Sequence, residues 1–244
     1  MLLLNTAYAD IILQKLNIEK SSAYKELRSR YSISMPIIEA KLYPLGWSKD
    51  SKFAYIVVLP NEALDFRRAI FRIQDMITDK VIFEKKYGDQ NDKNALISAE
   101  LKKFLESKKS DIVHYLSKYH INGYNNKLHS FPIKYEKKLI DYELKTVHEI
   151  NHDFLHQQFL SRVNVDLYSY SNTGDGHEKI TTKNICDKKI DLKSLHYGAM
   201  VAGYLKSPFE ERIAMVMIYF RRGWEGSPHV TSFELVGASL SKGF

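Results

Sequence analysis

One cysteine in 244 residues, Cys186, leaves no partner for an internal disulfide and excludes a cysteine-built zinc cluster. Any metal site must therefore use histidine and carboxylate ligands. Eleven glycines and six prolines are too few for a collagen-like or low-complexity chain. No apolar run approaches the ~18 residues that a spanning helix needs. The phosphate-cradling patterns G-x-x-x-x-G-K-[ST] and G-x-G-x-x-G do not occur, so nucleotide binding has no sign in the sequence. The G-x-S-x-G nucleophile elbow is also missing.

What remains is a chain with 44% hydrophobic and 27% charged residues, long enough for one large domain or two small ones. Its skewed quantity is charge, with 36 basic against 29 acidic side chains and a formal net charge of +7. A nucleic-acid binder gathers such charge on one face or segment. Here the basic runs are short, among them the Lys pairs at 102–103, 108–109, 137–138 and 188–189, each with an acidic residue nearby. Lysine also outnumbers arginine, the better reader of phosphate. A biased surface composition accounts for the excess, with adhesion to anionic envelope surfaces as its functional use. Nucleic acid is disfavoured as a partner.

The first nine residues, Met1 to Ala9, hold a short apolar run and then the small-x-small Ala7-Tyr8-Ala9 of a signal-peptidase site. They predict export, hence a periplasmic or secreted protein. Without that signal the chain is cytoplasmic.

Beyond it, Ser21 or Ser22 caps a helix running to Tyr31, and Pro36 breaks the pattern. Residues 36–90 predict a β meander of about four short strands, led by Lys52–Leu59 and Ala69–Ile73. Residues 91–123 predict helix, as one bent piece or two with a slip at 107–110, stopped by Asn122-Gly123. Residues 124–244 turn β-rich again, with Asn172-Thr173-Gly174-Asp175-Gly176 as a hairpin turn. Residues 142–160 fit a strand or a helix. The expected fold is α+β, mostly antiparallel sheet, in two blade-like β units with a helical segment between them and an N-terminal segment 1–35 before them. An internal echo supports the two units: Gly46-Trp47-Ser48 before an apolar strand, and Gly203-Tyr204 before Ser207 and another.

The segment Leu45-Gly46-Trp47-Ser48-Lys49-Asp50-Ser51-Lys52-Phe53-Ala54-Tyr55 resembles a blade opening of TolB-like propellers, a W-S-x-D-G-K followed by an apolar strand, with Ser51 in place of the usual glycine. Together with Arg222-Gly223-Trp224-Glu225-Gly226, a late aromatic-Glu-Gly turn, it is similar to a family of uncharacterised predicted secreted bacterial proteins. That resemblance implies export and no mechanism.

One motif has catalytic form. His148-Glu149-Ile150-Asn151-His152 is a literal H-E-x-x-H. On a helix, His148 and His152 share one side and can hold zinc, with Glu149 as the base acting on bound water. Against this, the charged Asp153 follows directly. No third ligand is recognisable either: His156 lies ~12 Å along a helix from His148 at 1.5 Å per residue. On a strand, the two ligands would stand ~13 Å apart.

The reading reached is a non-enzymatic exported protein that binds a protein or small-molecule partner at the cell envelope without a cofactor. Two turns are its expected contact loops, one carrying Trp47 and the other Arg222, Trp224 and Glu225. The alternative is a zinc-dependent hydrolase built on His148, Glu149 and His152.

Overall fold

Alternation of burial decides the central strands. In β3 (Lys52–Val58), Phe53, Tyr55 and Val57 enter one apolar cluster, while Ala54, Ile56 and Val58 enter another. Both faces of this strand are therefore covered. The same holds in β12 (Arg212–Arg222), where Ala214, Val216, Ile218 and Phe220 face one cluster and Ile213, Met215, Met217 and Tyr219 a third. A strand buried on both faces reads as a continuous apolar run because neither side chain direction meets water.

The computed structural model describes residues 13–30, 37–62, 64–123, 127–153, 157–173, 176–223 and 229–242. They form three sheets. The first has the order β5 (Val81–Tyr87), β4 (Ala69–Asp75), β3, β2 (Lys41–Trp47) and β6 (Asn122–Gly123). The second runs β1 (Ile37–Ile38), β13 (His229–Ser239), β12 and β11 (His196–Lys206). The third runs β10 (Gly176–Lys189), β9 (Gln157–Thr173), β8 (Lys138–Asn151) and β7 (Ile133–Tyr135). Every pairing is antiparallel except β1 with β13.

The three clusters give the stacking order. Helices α2 (Leu101–Glu106) and α3 (Lys109–Lys118) bury Phe104, Leu105, Ile112 and Leu116 on the outer face of the first sheet. Its inner face packs on the second sheet through Trp47, Phe53, Met200 and Phe220. The second sheet's far face meets the third through Val163, Val165, Met215 and Met217. The outer face of the third carries charge pairs such as Arg162–Asp187 and Lys145–Asp166. A nine-residue helix α1 (Ser22–Arg30), capped by the Ser21 hydroxyl on the Tyr24 amide, adds Tyr24 to the central cluster.

The expected prevalence of antiparallel sheet is found. The division into two self-contained β units is not, because strands cross the expected boundaries. β1, from the first stretch, joins the sheet of β11–β13, and β6 pairs with β2. The stretch 124–244 also splits into two sheets rather than one. The helical stretch is two helices, and the left-handed residue ending the second is His120 (φ 55), not Gly123.

The internal echo corresponds to two hairpins, β2–β3 and β11–β12. In each, one extra residue bulges just before a glycine, Leu45 before Gly46 and Ala202 before Gly203. Each glycine admits a crossing backbone: a Cβ on Gly46 would lie 2.0 Å from the Asn122 oxygen, and one on Gly203 2.3 Å from that of His129. Ser51, in the first turn, takes the left-handed φ of 66 where glycine is usual, and donates its hydroxyl to Glu210 of the second turn.

One sheet edge is closed by side chains. Among the described residues, β13 meets β1 only at His229 and Val230. Further along, Gln74 Nε2 donates to the Leu235 carbonyl at 2.9 Å, and the Gly237 amide donates to Asp79 Oδ1 at 2.7 Å. These bonds occupy an edge that would otherwise invite another strand. Among the described residues, no helix is long and apolar enough to cross a membrane.

Candidate functional site

The H-E-x-x-H segment lies on a strand. His148, Glu149 and Ile150 belong to β8 and pair with Leu160, Phe159 and Gln158 of β9, while His152 falls in the turn beyond Asn151. Consecutive strand residues point to opposite faces, so Glu149 does not stand beside His148 as a base on its ligand. His148 Nε2 lies 3.0 Å from the Tyr197 carbonyl, which fixes that nitrogen as a donor. Asn151 turns the chain, accepting from the Asp153 amide and donating to the Leu192 carbonyl. The helical i, i+4 pairing that would let His148 and His152 share zinc is absent. The physical reason is the ladder with β9, which fixes β8 as extended. Among the described residues, no group of three His, Cys, Asp or Glu side chains is placed to hold a metal ion.

Trp47, expected on a contact loop, is fully buried against Phe53, with ring centroids 4.6 Å apart. The Leu45 bulge shifts the strand's phase, so that Trp47 joins Leu42 in the central cluster while Tyr43 and Leu45 face the helix-covered one. Trp47 is therefore a packing residue. Arg222 is half-buried at the end of β12, opposite His229. Trp224 and Glu225 lie outside the described residues, as do Met1 to Ala9.

A cleft of about 390 Å³ lies close to that strand end. Its neighbourhood is tied to the β12 end twice. Arg221 donates to Glu62, and Ile37 of the cleft wall pairs with His229. One wall is β1 with Glu39 and Lys41, and a second is the end of β3 with Leu59 and Pro60. The third is a short ladder between residues 65–67 and 95–97. It is made by the Phe66–Leu96 bridge, Arg67 N to Ala95 O and Ile97 N to Asp65 O. Sequence chemistry explains the path. Pro60 removes a ladder donor after β3, and the Asn61 side chain caps the Leu64 amide to start the turn.

Most of the lining is apolar: Ile37, Ile38, Val58, Leu59, Pro60, Leu64, Phe66, Ile97 and Leu101. Three cations, Lys41, Arg67 and Arg68, face one carboxylate, Glu39. Glu39 already accepts the Tyr24 hydroxyl at 2.5 Å, and burial together with this carboxylate pushes that phenol's pKa well up. Arg67 Nη1 donates to the carbonyls of Leu96, Ile97 and Ala99, which satisfies hydrogen bonds and leaves its charge uncompensated. Among the described residues, none of the three cations pairs with a carboxylate.

A second hollow of about 230 Å³ lies where the three sheets meet, lined by Tyr55, Arg72, Gln74, Asp79, Lys188, His196, Tyr219 and Glu234 among others. Its groups are mutually paired. Lys188 Nζ donates to both Glu234 oxygens at 2.7 and 2.8 Å, Tyr219 donates to Glu234 at 2.7 Å, and Arg72 donates to Glu84 at 2.8 Å. Burial, helped by Arg221 and Lys188, lowers the His196 pKa to about 4. Partial desolvation raises that of Asp79 to about 6. Tyr219 is pushed far up by burial and by Glu234. Nearby, burial lifts the Cys186 thiol to about 11, which removes it as a thiolate nucleophile at neutral pH. With its charges balanced, this hollow is a structural joint.

The amphipathic cleft is not apparent in the sequence, whose one signal for it is Arg67-Arg68, a pair of arginines following a strand and a turn. Comparison with known proteins finds no matching family model, no matching curated protein and no matching solved structure.

Proposed function

We propose that this chain is a non-enzymatic binding module exported to the cell envelope, and that it holds its ligand in the cleft between β1, the end of β3 and the 65–67/95–97 ladder. The observation that carries this reading is the composition of the cleft. About 390 Å³ of mostly apolar lining is joined by Lys41, Arg67 and Arg68, none with a carboxylate partner among the described residues. Apolar walls with a few convergent polar groups are the common form of a small-molecule site. The segment Arg222-Gly223-Trp224-Glu225 follows the strand end tied to the cleft by Arg221 and Glu62, so it is the natural second contact element. Two ancestral β units, each built on a bulged hairpin with a glycine crossing, would account for the internal echo.

Ligand-observed NMR on a fragment set tests the cleft. Hits should lose binding in Leu64→Trp, which fills a half-buried wall position. Hits that bind equally to this variant, or no hits at all, would remove the cleft from consideration. Export has its own test: mature protein from the producing cells should begin at Asp10, and an intact Met1 in the periplasm-free fraction would overturn it.

A further inference from the structure

We infer that the cleft takes a small anionic amphiphile, a carboxylate on a short alkyl chain, with Arg68 and Lys41 at the headgroup and the chain along Ile38, Leu59, Leu64 and Phe66. This rests on the cleft being the binding site.

The charge inventory selects the sign. Three cations line the cleft against Glu39 alone, whose oxygen is already engaged by Tyr24. A cationic ligand would have to compete with Lys41, Arg67 and Arg68 for that one carboxylate. An anion instead relieves the repulsion among them. Arg67 is held by carbonyls of its own wall, on the facing strand of the ladder, and supplies a fixed positive field. Arg68 is exposed, its backbone carbonyl fixed by the Leu59 amide at 2.9 Å, and its side chain has no partner among the described residues. A guanidinium so placed presents a planar fork of donors that matches a carboxylate.

The walls select the stem. Ile37, Ile38, Leu64 and Phe66 are half-buried, and Ile97 at the mouth is 43% exposed. A single alkyl chain removes apolar surface of this kind from water, a gain proportional to the area covered. The volume suits one short chain and not a two-chain lipid. A bilayer is also a poor occupant, since, Leu96 beside the cleft apart, the other exposed large apolar residues are divided among several elements: Ile77, Val81 and Ile82 at the β4–β5 hairpin, Val147 and Ile150 on β8, Ile180 on β10 and Phe209 in the β11–β12 turn.

Calorimetric and amide-shift titrations with octanoate, 1-octanol and octylammonium decide the matter, alongside vesicles of phosphatidylglycerol. Octanoate should bind tighter than 1-octanol by roughly tenfold, the scale of one charge-assisted contact, with octylammonium weakest. Arg68→Gln, a change at an exposed side chain, should erase that preference while leaving the fold intact, and Lys41→Gln should reduce it. Equal binding of octanoate and 1-octanol, both blocked by Leu64→Trp, would overturn the anionic class and leave the cleft standing. Octanoate binding indifferent to Leu64→Trp, or no binding of any probe, would overturn both. Capture by vesicles without binding of octanoate would replace the free amphiphile with a membrane surface and overturn the inference.

Discussion

The Gly237 amide donates to the Asp79 carboxylate at 2.7 Å, so a turn of one sheet caps the exposed edge of the next. The approach is close on the backbone as well. A Cβ on Gly237 would lie 1.9 Å from the Met76 carbonyl oxygen, a distance that no rotamer can relieve. Arg212 Nη1 donates to that same carbonyl at 2.9 Å.

Gly237→Ala should therefore force the two sheets apart. The expected loss is ~3 kcal/mol, at the upper end for small-to-large changes in packed regions. Urea denaturation of the variant measures it. A loss below half that figure would mean that the joint is softer than its geometry.

The joint also gives stability a pH dependence with two opposed parts. The His196 pKa is lowered to about 4 on folding, so the unfolded chain binds the extra proton between about 4 and 6.5. Its contribution is full above pH 6.5 and is lost as pH falls toward 4. The Asp79 pKa is raised to about 6, so its contribution runs the other way, favouring the fold below pH 4 and lost as pH rises through 6. Water reaches Asp79, an exposed residue, more than half-buried His196, so the histidine wins. From pH 7 to 4.5 the protein should lose ~1 kcal/mol through His196, discounted for its partial exposure. His196→Gln should flatten that slope in denaturation curves taken at the two pH values.

Trp47 is fully buried and its indole N–H has no acceptor among the described residues. Trp47→Ala should cost ~4 kcal/mol by emptying the centre of the core. Trp47→Phe should cost much less, ~1–2 kcal/mol, because discarding an unpaired buried donor offsets part of the lost area. If chemical denaturation shows the two variants alike, the indole N–H is paired in the folded protein.

The strand geometry at His148 makes a prediction about zinc. Added zinc should not raise the melting temperature in a manner that depends on His148. His148→Ala should itself cost ~1 kcal/mol through the lost bond to the Tyr197 carbonyl. A zinc-induced rise abolished by His148→Ala would restore the hydrolase.

Parts of this fold are legible residue by residue. The Ser21 cap, the strand at Lys52–Val58, the slip between α2 and α3 and the echo of the two hairpins follow from local chemistry: a hydroxyl, an apolar run, a break in period, a glycine before a turn. The strand character of His148 was ambiguous locally, because Val147, Ile150, Phe154 and Leu155 also fit a helical stripe. Pairing with β9, a partner ten or more residues away, resolves it. Trp47 stands next to a turn, where a contact residue is expected, but both faces of β2 are covered, and that depends on the second sheet and the helices packing against it.

The sequence by itself determined that the chain is mostly antiparallel strand, that it has no disulfide framework, and that two of its hairpins share one plan. Periodicity, cysteine count and turn residues are local properties. Tertiary structure alone decided the three-sheet stacking, the burial of Trp47, and the gathering of Lys41, Arg67 and Arg68 around one apolar cleft. Those depend on which strands meet across long stretches of chain, as β1 meets β13 some 190 residues later, by the register Ile37 with His229. Contacts of that separation are selected by the burial of whole faces, an energy that no local window of residues contains.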